Sequence, residues 1–160
     1  MKKKLTAFLI ISWIVSLPSI ASAEFVKGGM YAGASAGVSI YDKLDTTDVG
    51  YKVYGGYLLY DHIGLDVAYT NMGDPSYGVS VSGMGNLPVN SQISLFAKVG
   101  TFVWKYDPPN SKSSSGNDYN IGIGVNFNAQ DNIYIHGELE RFKIGNDSSI
   151  FYSLGLAFDF

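Results

Sequence analysis

The sequence predicts an all-β fold, an eight-stranded antiparallel up-and-down barrel that spans a membrane. Apolar residues alternate with small or polar residues in about eight segments, and period-two alternation is typical of β-strands. The segments are about 9 to 11 residues long, as tilted strands that cross a bilayer are. Although 46% of the chain is hydrophobic, no apolar run beyond its amino-terminal segment approaches the length of a spanning helix. The apolar content is therefore dispersed over two-faced strands.

The amino-terminal segment has the pattern of a secretory signal. Lys2, Lys3 and Lys4 precede an apolar run, and the small residues Ala21 and Ala23 follow it with the spacing of a cleavage site. The apolar run is shorter than the roughly 20 residues that a membrane anchor needs. We therefore expect residues 1–23 to be a cleaved signal peptide and residues 24–160 to form one barrel domain.

Composition excludes several classes of function. After position 23 the chain has 14 acidic and eight basic residues, and this acidic balance disfavours a nucleic-acid partner. Cysteine is absent, so that neither disulfides nor thiol chemistry are available. With no cysteine and only two separated histidines, the sequence predicts neither a metal site nor a cofactor.

The first four segments alternate as two hairpins. The first, Gly29–Ile40, places alanines and larger apolar residues outward, and mainly glycine and serine inward. The second, Val49–Tyr60, and the third, Ile63–Thr70, follow with a tight turn between them. The fourth, Tyr77–Asn86, is weaker and rich in glycine and serine.

The last four segments repeat the pattern. A connection at Leu87–Asn90 contains a proline, which is disfavoured inside a paired strand, and leads into Gln92–Trp104. Asp118–Phe127 has the cleanest alternation, and Asn132–Phe142 is its hairpin partner. Ser149–Phe160 carries a continuous apolar face that ends in phenylalanine.

A sheet in lipid has to close, because each unpaired peptide group in hydrocarbon costs several kcal/mol. Eight strands form the smallest such barrel, whose interior is filled by side chains. The longer connections are expected after the odd-numbered strands, at Asp42–Asp48, Gly73–Ser76, Asp107–Asn117 and Gly145–Ser148. With both termini periplasmic, these loops would be extracellular. Candidates for aromatic girdles at the two interfaces are Tyr41, Tyr60, Tyr69, Trp104, Tyr106 and Tyr119.

A secreted barrel of lipocalin type is the main alternative fold. It would place the apolar register inside and a charged register outside. The polar register here is dominated by glycine and serine, and only 16% of the chain is charged. This pattern favours the membrane barrel.

Several segments resemble the amino-terminal membrane domain of the OmpA family of outer-membrane barrels. The matching segments are Tyr31–Ser39, Gly55–Tyr57, Ile63–Tyr69, Leu95–Gly100, Gly137–Phe142 and Tyr152–Phe160. The resemblance implies a place in the outer membrane of a Gram-negative bacterium. It also implies that Tyr152, Phe158 and the terminal Phe160 form the signal that the barrel-assembly machinery recognises.

Two departures from the family pattern affect what the resemblance implies. Larger members continue into a domain that binds peptidoglycan, whereas this sequence ends at Phe160, so we do not expect cell-wall anchoring. Ser35 and Met84 stand where family members have inward lysines. The acidic, basic and acidic inner positions are retained in Asp66, Lys98 and Glu138.

The inward register also carries the candidate site. Charges enclosed in a barrel have to be paired, because desolvation costs several kcal/mol for each ion. We therefore expect an interior ion-pair network, and a conduction path through the same side chains and the inward Glu140 is the alternative. The residues of the expected network are Lys52, Asp66, Lys98, His136 and Glu138.

An enzymatic interpretation has little support in the sequence. Some small barrels modify lipids, and such a site needs histidine, serine and carboxylate groups within reach of one another. His62 is expected in a periplasmic turn and His136 in the interior, and neither has a serine beside it on the lipid-facing side. We expect a non-enzymatic protein.

Function is then expected in the loops or in the presence of the barrel itself. The sequence favours a structural or surface-interaction role for a monomer, namely adhesion or contact with a host factor or with lipopolysaccharide. The expected partners are outer-membrane lipid, the assembly machinery during biogenesis and a surface ligand bound by the loops. The alternatives are a narrow ion pore, a lipid A-modifying enzyme and a lipocalin-like binding barrel.

Overall fold

Eight antiparallel strands form a closed barrel in the computed structural model, which describes residues 29–42, 46–60, 62–73 and 76–160. Each strand pairs with the next along the chain, and β1 pairs with β8 from Tyr31–Asp159 to Tyr41–Ser149. The strands are β1 Met30–Tyr41, β2 Thr47–Tyr60, β3 Ile63–Asn71, β4 Ser76–Pro88, β5 Ile93–Tyr106, β6 Ser114–Gln130, β7 Ile133–Ile144 and β8 Asp147–Asp159. The predicted eight-stranded up-and-down barrel is confirmed.

The predicted signal peptide, residues 1–23, lies outside the described residues, and so do Leu44, Asp61 and Asp74 of the predicted connections. No helix in the part of the chain that the structure describes is long and apolar enough to cross a bilayer.

The alternation places apolar side chains on the outer face and polar side chains inside, as a membrane barrel requires. Outward Val53, Leu95 and Ile121 are each about half exposed, whereas Lys52, Ser94 and Asn120 beside them in the strands are buried. The lipocalin alternative requires the reverse arrangement and is therefore excluded.

Several connections differ from the sequence prediction, and the first is shorter than expected because β2 begins at Thr47 rather than Val49. β4 continues through Pro88, which pairs with Ser94 at the end of the hairpin, so that the connection is Val89–Gln92. β6 begins at Ser114, which shortens the expected loop to residues 107–113. β7 and β8 are joined by the two residues 145 and 146, and Gly145 has a φ of 56°. The strands on either side of these connections end where backbone pairing with the neighbouring strand ends. Residue type alone therefore did not locate the connections.

Two of the predicted girdle residues point into the barrel, and a third, Tyr106, packs partly buried against the same interior residues. Tyr41 is 4% exposed and Trp104 is 8% exposed, and both lie in the interior with Phe102, Phe142 and Phe151. Their positions near strand ends suggested an interface, but both belong to the inward register.

Glycines make room for the inward aromatic rings. A Cβ at Gly78 would lie 2.6 Å from Phe102 Cε2, and a Cβ at Gly37 would lie 2.9 Å from Phe151 Cζ. Gly50 is covered by the same Phe151 ring, with 3.1 Å between a Cβ there and Cε2. The rings therefore lie close to the backbone of other strands at these glycines and fill the narrow lumen.

Candidate functional site

Five charged side chains meet halfway along the lumen, and we call them the charged belt: Lys52, Asp66, Lys98, Glu138 and Glu140. They come from β2, β3, β5 and β7, and each is at most 6% exposed. Many of their neighbours across the strands are small, since Lys52 pairs with Ser35 and Glu138 with Gly124 and Ser153, although Lys98 pairs with Met84 and Glu140 with Phe151. Small neighbours leave space for long side chains to cross the lumen.

Lys98 is the centre of the belt. Its Nζ lies 2.6 Å from Glu138 Oε1, 3.3 Å from Glu140 Oε1 and 3.4 Å from Asp66 Oδ1. Lys52 Nζ lies 3.0 Å from Glu140 Oε2 and also contacts Glu138 Oε2. Both glutamates thus bridge the two lysines, so that no charge of the belt stands alone.

Neutral groups complete the belt. The Tyr31 hydroxyl donates to Asp66 Oδ2 at 2.7 Å. The Asn120 amide donates to Glu140 Oε1 at 2.7 Å and to Ser82 Oγ at 2.9 Å. Because hydrogen bonds to a carboxylate are stronger than bonds between neutral groups, these donors add to the ion pairs that hold Asp66 and Glu140 in place.

His136 lies next to the belt and between two aromatic rings. Its Nε2 is 3.3 Å from Glu138 Oε2, and its Nδ1 is 2.7 Å from Asn126 Oδ1. Its ring centroid lies 4.7 Å from that of Tyr54 and 4.9 Å from that of Phe96, with an interplanar angle of 17° for Phe96. The imidazole is therefore packed and hydrogen-bonded rather than open to a substrate.

The structure brings together Lys52, Asp66, Lys98, His136 and Glu138, the residues that the sequence singled out. Sequence reasoning placed Glu140 inward with these charges and missed Tyr31 and Asn120 as hydrogen-bonding partners of the network. Glu140 follows Glu138 at the two-residue spacing of the inner register, which was the available signal. Nothing local in the sequence pairs Tyr31 with Asp66, which is 35 residues away.

Tyr152, Phe158 and Phe160 do not join this interior. They are on the outer face with exposures of 42%, 44% and 80%. The amide of Phe160 donates to the carbonyl of Met30 at 2.9 Å, so that the aromatic residue at position 160 is attached to the first strand.

Apolar layers lie on both sides of the charged belt. The terminal-side layer, on the side where β1 begins and β8 ends, consists of Tyr31, Tyr54, Leu58, Ala68, Met84, Phe96, Tyr134 and Ala157. The loop-side layer, at the opposite end, consists of Tyr41, Met72, Phe102, Trp104, Phe142, Ile144 and Phe151, with Tyr106 against it. Along β7 the order is Tyr134, His136, the two glutamates and then Phe142. The belt is therefore enclosed.

Little free volume remains inside. A cavity of about 10 Å³ lies among Tyr54, Lys98, His136 and Glu138, which is about the space of one water molecule. No group of three or more metal-ligating side chains occurs in the described residues. His62, the other histidine, is exposed in the turn before β3. The geometry supports ion pairing and does not provide a substrate pocket.

Comparison with known proteins agrees with this architecture. The profile of a family described as "Outer membrane protein beta-barrel domain" matches residues 7–160. Among curated proteins, no sequence matches this chain significantly.

Solved structures of outer-membrane barrels superpose on this fold. Neisserial surface protein A (NspA) has a TM-score of 0.66 at 17% identity, over 84% of this chain and 100% of that chain. Ail, the attachment invasion locus protein of Yersinia pestis, has a TM-score of 0.64 at 18% identity, with the same coverage. The N-terminal β-barrel domain of Pseudomonas aeruginosa OprF has a TM-score of 0.63 at 17% identity, over 84% of this chain and 98% of that domain.

Proposed function

The chain belongs to the family of outer membrane protein β-barrel domains, and from that premise we propose that it has a structural or surface-interaction role as a monomer. One observation carries this proposal: the lumen is packed from one apolar layer to the other, around a belt whose charges are paired. Because the lumen is packed, the outer face and the loops are the surfaces that can contact other molecules. The expected contacts are outer-membrane lipid, including lipopolysaccharide, and a ligand at the cell surface.

The lengths of the connections support extracellular loops and periplasmic termini. Residues 107–113 form the longest described connection, on the side opposite the strand ends Met30 and Asp159. On the side of the termini, the described connections are 131–132 and 89–92, whereas the loop side combines the longer 107–113 with the two-residue turn 145–146. Bacterial barrels place short turns in the periplasm and longer loops outside.

A surface ligand is proposed on the basis of the loops and of one structural relative. Ail has been crystallised in complex with the heparin analogue sucrose octasulfate. Here two of the loop-side cations, Arg141 and Lys105, already face acidic side chains, at 3.2 Å from Asp42 and 3.7 Å from Asp107. This mixed charge favours a host protein factor or lipopolysaccharide over a polysulfated chain.

The test replaces residues 108–113 by a two-residue turn and measures adherence of cells that display the protein to host cells. We expect adherence to fall while recovery in outer-membrane fractions and heat-modifiable migration on gels stay unchanged. The matched control is an epitope inserted in the short connection 89–92, which should not change adherence. Unchanged adherence after removal of the loop would contradict the surface-interaction role.

The same epitope tests the orientation. Inserted at 108–113 it should be labelled by antibody on intact cells, whereas at 89–92 it should be labelled only after the outer membrane is permeabilised. The opposite result would reverse the proposed topology.

We also propose that the protein has no lipid A-modifying activity. His136 faces Asn126 and Glu138 inside the barrel, and His62 lies in a turn at the proposed periplasmic end. Mass spectrometry of lipid A from cells with and without the protein should give the same acyl pattern. A changed pattern would restore the enzyme as the better hypothesis.

A further inference from the structure

We infer that the barrel has two independent apolar seals in series, the loop-side layer and the terminal-side layer, and that the charged belt between them is a cation-preferring compartment that neither end reaches. This inference rests on the proposed structural or surface-interaction role, in which the packed lumen does not conduct, and deepens it by naming the barrier to ions. The charged belt alone does not form this barrier.

The loop-side seal consists of rings that cross the lumen. Phe102 of β5 and Phe142 of β7 meet with ring centroids 4.5 Å apart, past the intervening β6. From β8, the Phe151 ring reaches over Gly37 of β1 and Gly50 of β2. Phe102, Phe142 and Phe151 have no exposed surface. Water and ions are thus kept from the belt by the three rings on this side.

The terminal-side seal is built from other residues, whose rings cover glycines of the adjacent strand. Tyr31 and Tyr54 lie over their paired glycines Gly56 and Gly33, and Phe96 lies over its paired Gly124. Tyr31, Tyr54 and Phe96 are each at most 7% exposed. No residue is shared between the two layers, since they are separated by the belt. Each layer therefore closes the lumen without the other.

The enclosed compartment has an excess of negative charge. The three carboxylates of Asp66, Glu138 and Glu140 face the two ammonium groups of Lys52 and Lys98. With His136 neutral, one carboxylate charge is left over. Because charge in a low-dielectric enclosure is screened little, a small cation is favoured there over an anion.

Two seals in series predict different outcomes for access and for conduction. Opening either layer exposes the belt to one side, so that a reagent reaches it. Ions cross the barrel only when both layers are open. With a single apolar layer, or with a barrier made only by the ion pairs, opening one layer would not give access of a reagent without conduction of ions.

The experiment uses Ser82→Cys as a reporter, because the chain contains no cysteine of its own and Ser82 is 1% exposed next to Asn120 of the belt.

The loop-side variant is Phe102→Ala with Phe151→Ala, and the terminal-side variant is Tyr54→Ala with Phe96→Ala. Phe127→Ala, an aromatic truncation on the outward register of β6, is the matched control. Folded protein is selected by heat-modifiable migration and placed in lipid nanodiscs or planar bilayers.

We expect no modification of the reporter thiol when Ser82→Cys is the only substitution or is combined with the Phe127→Ala control. Either single-layer variant should react with a methanethiosulfonate reagent, and faster with the cationic than with the anionic form. Neither should conduct in a planar bilayer. The variant open at both layers should conduct, with potassium favoured over chloride under a salt gradient.

Conduction by a single-layer variant would overturn the series arrangement alone, and conduction by the unaltered protein would overturn the proposed function as well. Faster reaction with the anionic reagent would overturn the cation preference. If the double substitution in one layer prevents folding, Phe151→Ala alone serves as the loop-side variant, because it removes the ring over Gly37 and Gly50.

Discussion

At the scale of single residues, Lys98 determines how the charges of the interior are balanced. Its ammonium group contacts Asp66, Glu138 and Glu140, whereas Lys52 contacts only the two glutamates. Removing Lys98 therefore leaves Asp66 with the Tyr31 hydroxyl and no cation. An enclosed ion that loses its partner keeps its desolvation cost.

The first prediction is a double-mutant cycle on Lys98 and Glu138. Lys98→Met and Glu138→Gln should each lower the free energy of unfolding by about 3–5 kcal/mol, and the double variant should cost clearly less than their sum. Lys105→Met is the matched control, because Lys105 is half exposed and pairs with Asp107 at 3.7 Å; it should cost at most about 1 kcal/mol. Equilibrium unfolding in detergent or lipid measures all four, and strict additivity would show that the pair is not coupled.

The faces of individual residues were predictable from sequence, and their partners were not. Alternation alone assigned Lys52, Asp66, Lys98 and Glu138 to the lumen, because one face of a strand must suit lipid. The contacts of Tyr31 and Asn120 depend on barrel closure and on the stagger of the strands, which bring distant positions to one height. A pattern within one strand carries no such information.

At the scale of elements, Asp118 connects the β5–β6 hairpin to the turn between β7 and β8. Its Oδ2 accepts hydrogen bonds from Trp104 Nε1 at 2.8 Å and from the amide of Gly145 at 2.8 Å. Gly145 has a positive φ, which glycine adopts without steric cost. One carboxylate thus fixes a loop-side ring and a tight turn together.

The second prediction follows from this connection. Asp118→Ala should lower the free energy of unfolding by about 1.5–3 kcal/mol, because two donors lose a charged acceptor. Asp118→Asn, which keeps one acceptor oxygen, should cost less. Asp107→Ala is the control, since Asp107 is exposed and accepts from the exposed Ser113. If Asp118→Ala and Asp107→Ala have equal midpoints of denaturation, the connection is not stabilising.

The ends of the elements were harder to predict than their number. β6 starts at Ser114, four residues before the predicted Asp118, although Ser114–Asn117 are small or polar and lack an apolar face. The segment is a strand because its backbone pairs with β5, up to Ser114 and Tyr106. Above the bilayer no lipid-facing register is required, so the hydrophobic pattern stops before the strand does.

At the scale of the whole molecule, assembly is expected to depend on the closing strand. We propose that Tyr152, Phe158 and Phe160 form the signal for the barrel-assembly machinery, with support from their outward exposure and from the resemblance of this strand to the family. Phe160 is the most exposed of the three. Barrel closure itself needs only the pairing of β1 with β8.

The third prediction separates assembly from stability. Deletion of Phe160 should lower the yield in the outer membrane and raise periplasmic degradation, while protein refolded in detergent should keep nearly its full stability. Phe127→Ala, which truncates another outward phenylalanine, should leave the cellular yield unchanged. If the protein assembles normally without Phe160, the role of this residue is only to anchor the strand at the membrane interface.

The glycines under the aromatic rings also constrain how such a barrel changes over generations. A Cβ at Gly37 would collide with the Tyr152 carbonyl oxygen as well as with the Phe151 ring, and a Cβ at Gly50 would collide with the Asn71 carbonyl oxygen. The backbone of neighbouring strands therefore restricts both positions together with the ring, so that a smaller residue in place of Phe151 leaves a void without making room for a side chain at either glycine. We expect both glycines to persist, which makes the interior slow to diverge while the loops remain free to do so.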